Sequence, residues 1–173
     1  MTFRNAVYIG LGSNMGDRAI NLEKAVMMLD RHPAITVNVL SAVYETDPVG
    51  DVQGGPFLNI AASISTTLEP IDLLKSLLHI EKTMGRVRTP GVVAPRAIDL
   101  DILLFEDLLM DTPELTIPHP RLRSRRFVLE PLKELAPLLK IPGTDKTIRE
   151  IGREVEEKHP EQVIRPMGRL GDD

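Results

Sequence analysis

The clearest capacity for chemistry lies in Asp99-Leu100-Asp101. Successive side chains of a strand alternate faces, so the two carboxylates share a face with Cβ atoms about 6–7 Å apart. At an effective dielectric of about 20 their mutual repulsion is roughly 2–3 kcal/mol. A divalent cation held by one or both removes that cost, and two Mg²⁺ ions there could clamp the attacking and leaving oxygens of a phosphoryl transfer. Arginine surrounds the pair: Arg86, Arg88 and Arg96 precede it, and Arg121, Arg123, Arg125 and Arg126 follow it, together seven of 21 basic residues. A planar guanidinium suits phosphate oxygens as carboxylates suit hard cations. The pattern fits a metal–polyphosphate ligand, although a solvated charged surface would carry the same residue types.

Other groups extend this reading. Phe57 and Asn59 alternate away from Leu58 and Ile60, and Phe127 lies just past the second arginine cluster. Two aromatics could stack on a flat heterocycle while Asn59 reads its donor–acceptor edge; ordinary core phenylalanines are the other reading. Glu81 interrupts the apolar stripe that carries Leu77 and Leu78, so it needs a partner, expected in an arginine of the following loop. His119, between two prolines, could donate to a phosphate. Glycines 10, 12 and 16 miss the dinucleotide spacing, and no P-loop Gly-Lys-Ser/Thr follows. They suit a tight strand-to-helix turn, with Ser13, Asn14 or Asp17 capping the helix.

These residues require elements to hold them. Periodicity predicts strands over 6–12, 35–44, 57–67 and 98–105, and helices over 17–31 and 70–84. Alternation in the last strand puts Ile98, Leu100, Ile102 and Leu104 on one face and Asp99, Asp101, Leu103 and Phe105 on the other. The order β-α-β-β-α-β is that of an α+β, ferredoxin-like domain, an antiparallel sheet with both helices on one face. LEPLKELAPLL and TIREIGREVEEK add smaller C-terminal helices. One domain over residues 1–158 is expected, with 159–173 a loosely held tail. Gly/Pro-punctuated loops over 45–56 and 86–97 are long enough to act as lids.

Composition removes several alternatives. The chain has 173 residues, the size of one domain, and no cysteine, which excludes a disulfide scaffold, a thiolate metal site and a Cys nucleophile. A net charge of −4 and six aromatics argue against nucleic acid and anionic membranes as partners. No apolar run approaches the ~20 residues of a membrane span. The N-terminal MTFRNAVYIG lacks signal-peptide features, so a cytoplasmic location is expected.

The segments VYIGLGSNMGD (7–17), YETDPVG (44–50), FLN (57–59), IEKTMGRVR (80–88), PRAIDLDILLF (95–105) and IPHPRLRSRRFVLEPL (117–132) resemble, in order, the 6-hydroxymethyl-7,8-dihydropterin pyrophosphokinase family. The resemblance implies a ferredoxin-like core that transfers pyrophosphate from MgATP to the pterin's hydroxymethyl oxygen, releasing AMP. It implies that Asp99 and Asp101 hold two Mg²⁺ ions arriving with ATP, and that Phe57 and Phe127 sandwich the pterin. Asn59 would bind the pterin edge, with backbone near Thr46, Asp47 and Val49. Glu81, Arg88, Ile102, His119, Arg123 and Arg125 would surround ATP, and Arg86 and Arg96 would stabilise transition-state charge. A monomer acting on these two small molecules is expected. Val92-Val93-Ala94 departs from the family, whose members commonly have a charged residue, an aromatic and Gly before the Pro-Arg. Two other readings remain: a non-catalytic ferredoxin-like ligand-binding module, and a metal-dependent nucleotidyltransferase or phosphodiesterase using the same acids.

Overall fold

A computed structural model describes residues 4–48, 54–86 and 95–172 of the chain. In chain order the main elements are β1 (Asn5–Ser13), α1 (Arg18–Arg31), β2 (Ile35–Leu40), β3 (Tyr44–Thr46), β4 (Phe57–Thr66), α2 (Pro70–Thr83) and β5 (Asp99–Phe105). A short hairpin, β6 (Met110–Asp111) and β7 (Thr116–Ile117), precedes α3 (Arg126–Leu135), α4 (Ile148–Lys158) and β8 (Ile164–Pro166). The sheet runs β5-β1-β4-β3-β8, with β2 also on β4, and every pairing is antiparallel. Each helix-linked pair, β1 with β2 and β4 with β5, therefore has another strand between its members, which is the split β-α-β pattern.

Local sequence explains the helix ends. Asp17, rather than Ser13 or Asn14, caps α1 by accepting from the Ile20 N–H at 3.2 Å. Pro70 starts α2, where its missing N–H costs nothing, and Gly85 closes it at φ 91°. Leu22, Ala25 and Leu29 of α1 and Leu73, Leu77 and Ile80 of α2 pack on Val7, Ile9, Leu11, Ile60, Ile64, Leu100 and Ile102 of the sheet. Each such large aliphatic contributes about 1.5–3 kcal/mol through burial.

Four features differ from the pattern-based expectation. The strand expected over 35–44 is two strands on one edge of β4. Ser41 interrupts it, its hydroxyl accepting from the Ala61 N–H (2.9 Å) where a backbone carbonyl would otherwise serve. In β5, the register passes from Ile9–Ile102 to Tyr8–Leu104, so Leu103 is an extra, bulged residue. Beyond it the faces exchange: Leu104 joins Leu103 and Tyr8 on one side, while Phe105 joins the core beneath α1 and α2. The smaller helices do not add to that core. Leu129 and Leu132 of α3 and Ile148, Ile151 and Val155 of α4 cover part of the opposite sheet face, over Leu103 and Leu104. Finally, the tail is held rather than loose, because β8 pairs with β3 through Tyr44–Pro166, Glu45–Arg165 and Thr46–Ile164. No helix among the described residues is long and apolar enough to cross a membrane.

Candidate active site

Where α3 and α4 leave the sheet uncovered, its open face forms the floor of a cavity of about 270 Å³. The floor follows from strand register. Gly12 of β1 pairs with Asn59 of β4 on one side and Asp99 of β5 on the other, and Gly10 pairs with Asp101. A carboxamide, a bare backbone and a carboxylate thus lie in a row across three strands. Glycine is needed in the middle: a Cβ on Gly12 would sit 2.8 Å from Asn59 Oδ1 and 3.5 Å from Phe57 Cδ1.

At one end of the row, Asn59 is buried and its Nδ2 donates to Thr46 Oγ1 at 2.8 Å. That bond fixes which way the amide faces. Phe57 and Phe127 line the same cavity, with Thr46, Asp47 and Pro48 at the end of β3.

At the other end the charges are paired. Asp99 Oδ1 accepts from Arg86 Nη1 in a short contact, and Asp99 Oδ2 accepts from Arg96 Nη1 at 3.1 Å. Arg86 also donates to Glu81 Oε2 (3.1 Å), and Glu81, only 2% exposed, accepts from the Leu100 N–H at 2.8 Å. The partner expected for this buried carboxylate in the following loop is Arg86. Arg96 is fixed at its backbone by Asn14, whose Oδ1 accepts from the Arg96 N–H (2.6 Å) and whose N–H donates to the Arg96 carbonyl (3.0 Å).

Asp101 is more open, with its side chain 47% exposed and Oδ1 3.8 Å from His119 Nε2. His119 is oriented by its backbone N–H donating to the Leu103 carbonyl (3.0 Å) and by Nδ1 accepting from the Arg121 N–H (3.1 Å). In the neutral ring, Nε2 then carries the proton and faces Asp101. Burial pushes the His119 pKa below its ordinary value, the Arg125 and Arg121 charges push it further down, and Asp99 opposes them. Burial, then the neighbouring Arg121 charge, likewise lowers the Arg125 pKa, opposed by Asp101 and Asp99. The Arg125 guanidinium stands 5.3 Å from the centroid of Phe127, a cation–π contact that links the charged end to the aromatic end.

Of the residues singled out in the sequence, Thr46, Asp47, Phe57, Asn59, Arg96, Asp99, Asp101, His119, Arg125 and Phe127 line this one cavity. Arg86 and Glu81 stand behind it, acting through Asp99 and the start of β5. Ile102 is not brought there, because its side chain faces the core beneath α1 and α2. Arg123 is exposed outside the lining, where its charge acts on Glu154 of α4. Val49, Arg88 and the Val92-Val93-Ala94 run lie outside the described residues, as do parts of both loops expected to act as lids. Sequence reasoning named Arg121, which lines the cavity, only as one of the second arginine cluster, and assigned no site role to Gly12 and Asn14, which shape it. Gly12 had a signal, since it falls opposite both Asn59 and Asp99 once the strands are paired.

Comparison with known proteins gives a consistent likeness. A sequence model described as 7,8-dihydro-6-hydroxymethylpterin-pyrophosphokinase (HPPK) matches residues 8–137. The chain is 48% identical over 131 residues to the 2-amino-4-hydroxy-6-hydroxymethyldihydropteridine pyrophosphokinase of Bacillus subtilis, covering 76% of this chain and 78% of that one. It is 46% identical over 143 residues to the protein of the same name from Methylorubrum extorquens, covering 83% and 89%. Among solved structures, it is similar to wild-type Plasmodium falciparum HPPK-DHPS with pteroate, at a TM-score of 0.74 and 15% identity. That alignment covers 93% of this chain and 46% of the Plasmodium chain, so the present chain spans about half the length of that solved relative. At this identity the structural likeness concerns the fold alone.

Proposed function

The chain belongs to the 7,8-dihydro-6-hydroxymethylpterin-pyrophosphokinase family, and on that footing we propose how its residues divide the work between a pterin and ATP. It is a pyrophosphokinase of folate biosynthesis, an enzyme that transfers a diphosphate group to a hydroxymethylpterin. ATP as donor, two Mg²⁺ ions and the individual residue roles belong to the proposal. So does a monomeric, cytoplasmic enzyme whose partners are small molecules only.

The observation that carries the assignment of roles is the row Asn59–Gly12–Asp99. Two strand spacings, about 10 Å, separate the amide from the carboxylate. A bicyclic ring with one methylene arm spans that distance across the bare Gly12. The pterin lies between Phe57 and Phe127, and Asn59, held by Thr46, accepts from a ring N–H and so fixes its rotation. The hydroxymethyl arm then points toward Asp99 and Asp101.

Hard cations fit this end by the chemistry of its donors. Among the described residues no cluster of three or more His, Asp or Glu is arranged to hold an ion, but Mg²⁺ needs only one or two carboxylates when substrate phosphates complete its shell. Mg²⁺ held by Asp99 and Asp101 would neutralise phosphate charge and align the attacking and leaving oxygens. Arg96, Arg121 and Arg125 bind phosphate oxygens, and His119 donates to one through Nε2. The hydroxymethyl oxygen attacks the β-phosphorus in line, the bond from that phosphorus to the α-phosphate oxygen breaks, and AMP leaves. No covalent nucleophile is required, so positioning and charge stabilisation carry the rate.

Incubation with MgATP and reduced hydroxymethylpterin, following AMP, tests this reading. AMP release that depends on the pterin is the expected result. ADP as product, or AMP release without the pterin, would refute it; the latter would favour a nucleotidyltransferase or phosphodiesterase using the same acids.

A further inference from the structure

Residues 162–166 lie outside the segment matched by the family model, 8–137, yet they bond to the start of α3, which carries Phe127, and to the end of β3, where Thr46 pairs with Phe57, and so support both walls of the aromatic slot. One wall is the end of β3. There Arg165 donates from Nε to Glu45 Oε1 (3.2 Å) and from Nη2 to Asp47 Oδ1 (3.0 Å), and Thr46 pairs with Ile164. Glu45 is in turn held by Arg18 of α1 at 2.9 Å, whose Nη1 donates to the Pro56 carbonyl (2.8 Å), one residue before Phe57. The other wall is the start of α3. There Gln162 Oε1 accepts from the Arg126 N–H (2.9 Å), its Nε2 donates to the Ser124 carbonyl (3.0 Å), and its own carbonyl accepts from Arg126 Nη1 (2.7 Å). These bonds bracket Arg125 and immediately precede Phe127.

The two walls meet a second cavity of about 220 Å³. Thr46, Asp47, Pro48 and Phe127 line it as they line the first, and residues 161–164 close its far side. The four shared residues therefore form a partition with the substrate cavity on one side and the tail on the other. An aromatic slot binds a flat ring tightly only if its walls are already at the right spacing, because ordering them on binding consumes affinity. Hydrogen bonds and ion pairs from a single short segment to both walls fix that spacing before the ligand arrives.

We propose that residues 162–166 are a positioning element of the pterin site, with Gln162 setting the Phe127 wall and Arg165 the Thr46–Asp47 wall. The inference rests on the pterin reading above and concerns first the affinity for the heterocycle, since Arg165 and the Phe127 wall face that end of the cavity. Arg96 and Asp99, which face the triphosphate in that reading, share no hydrogen bond with the segment among those described.

The test uses the full-length enzyme with Gln162→Ala, Arg165→Ala and Arg165→Lys, measuring affinity for the hydroxymethylpterin and for a non-hydrolysable ATP analogue by calorimetry. Each alanine variant is expected to weaken pterin binding about three- to tenfold, the scale available from part-exposed ion pairs and lost preorganisation. Affinity for the ATP analogue should stay within about twofold in Arg165→Ala, whose contacts lie on the β3 side, and in Gln162→Ala, whose bonds flank Arg125, it should fall less than pterin affinity does. Arg165→Lys, which can serve one carboxylate but not fork to two, should recover part of the loss. Unchanged pterin affinity in both alanine variants would overturn the proposal, as would equal losses for pterin and ATP analogue, which would mark a general structural role. Pterin-dependent AMP release by the unsubstituted enzyme is measured alongside; its absence would refute the pterin reading itself, separately from the role of the tail.

Discussion

Gly12→Ala should damage pterin recognition far more than its size implies. The added Cβ would lie 2.8 Å from Asn59 Oδ1, so restoring an ordinary contact of 3.4 Å requires a shift of about 0.6 Å. Asn59 cannot take that shift freely. It is buried, and its Nδ2 sits 2.8 Å from Thr46 Oγ1, so movement away from Gly12 strains or breaks that bond. A buried amide left without its partner costs about 1–3 kcal/mol. A misaligned amide also forfeits its hydrogen bond to the ring, so pterin affinity should fall about tenfold or more, at 1.4 kcal/mol per decade. Gly10→Ala is the internal control, two residues away on the same face. Its Cβ would meet the Leu103 side chain at 3.5 Å, an ordinary contact, and the loss of unfolded-chain freedom favours the variant by about 0.4–1 kcal/mol. Calorimetric titration with the pterin and thermal melts of both variants provide the comparison. Wild-type pterin affinity in Gly12→Ala, or an equal loss in Gly10→Ala, would refute the argument that Gly12 exists to make room for Asn59.

Asp101→Asn should leave the melting temperature near that of the parent while reducing AMP formation by about 100-fold or more, because electrostatic positioning of the transferring group is lost; near-normal turnover would contradict a metal-holding role for Asp101. The His119 imidazole should titrate below its ordinary 6.5, read by NMR in the ligand-free enzyme. The sign follows: the unfolded chain takes up the proton first, so this group's contribution to stability is complete above pH 6.5 and declines as pH falls below it. Titration at or above 6.5 would show that burial and the flanking arginines do not govern it. Arg86→Ala and Arg96→Ala should both slow turnover, but only Arg86→Ala should strongly lower stability, by about 3 kcal/mol, because it strips an ion-pair partner from buried Glu81. Equal melting temperatures for the two variants would show that Glu81 does not depend on Arg86.

What could be read from the sequence was whatever depends on nearest neighbours. Alternation along one strand placed Asp99 and Asp101 together and Phe57 with Asn59. The cost of an unpaired buried charge pointed from Glu81 to an arginine of the following loop, and Arg86, five residues on, pairs with it. Alternation also placed Ile102 on the face opposite the acids, where its side chain is found, although resemblance to the family assigned it to the nucleotide. The features that escaped depend on distant chain. The Leu103 bulge exists only in the pairing of β5 with β1, and the break at Ser41 only against Ala61 of β4. Asn14 looked like a helix cap because its structural partner, Arg96, is 82 residues away. The tail reads as polar and expendable because its hydrogen bonds run to Glu45 and Asp47, about 120 residues earlier.

The charges at the phosphate end form a chain of alternating sign, Glu81–Arg86–Asp99–Arg96, anchored at one end on the Leu100 N–H. This order resolves a difficulty that the sequence poses. Two carboxylates on one strand face repel, and several arginines near a common cavity repel as well; either set alone would destabilise the fold. Interleaved, each neutralises the other, and in the proposed reading a ligand carrying both signs, cations with a polyphosphate, would exchange partners with them. The links in the chain are not equally ready to exchange. Arg86 is 10% exposed and shared with a buried carboxylate, so releasing it would break an ion pair of buried Glu81 as well as the one to Asp99. Arg96 is 26% exposed and its side chain has only Asp99 as an ion-pair partner among the described residues, while Asn14 holds its backbone in place. In the proposed reading Arg96 would therefore be the guanidinium that turns to a phosphate while its Cα stays fixed, and Arg86 the one that remains to keep Asp99 and Glu81 in register. A net charge of −4 over the whole chain is compatible with binding so anionic a ligand because attraction is set within this cavity, where water is displaced and charge order, not total charge, decides the potential.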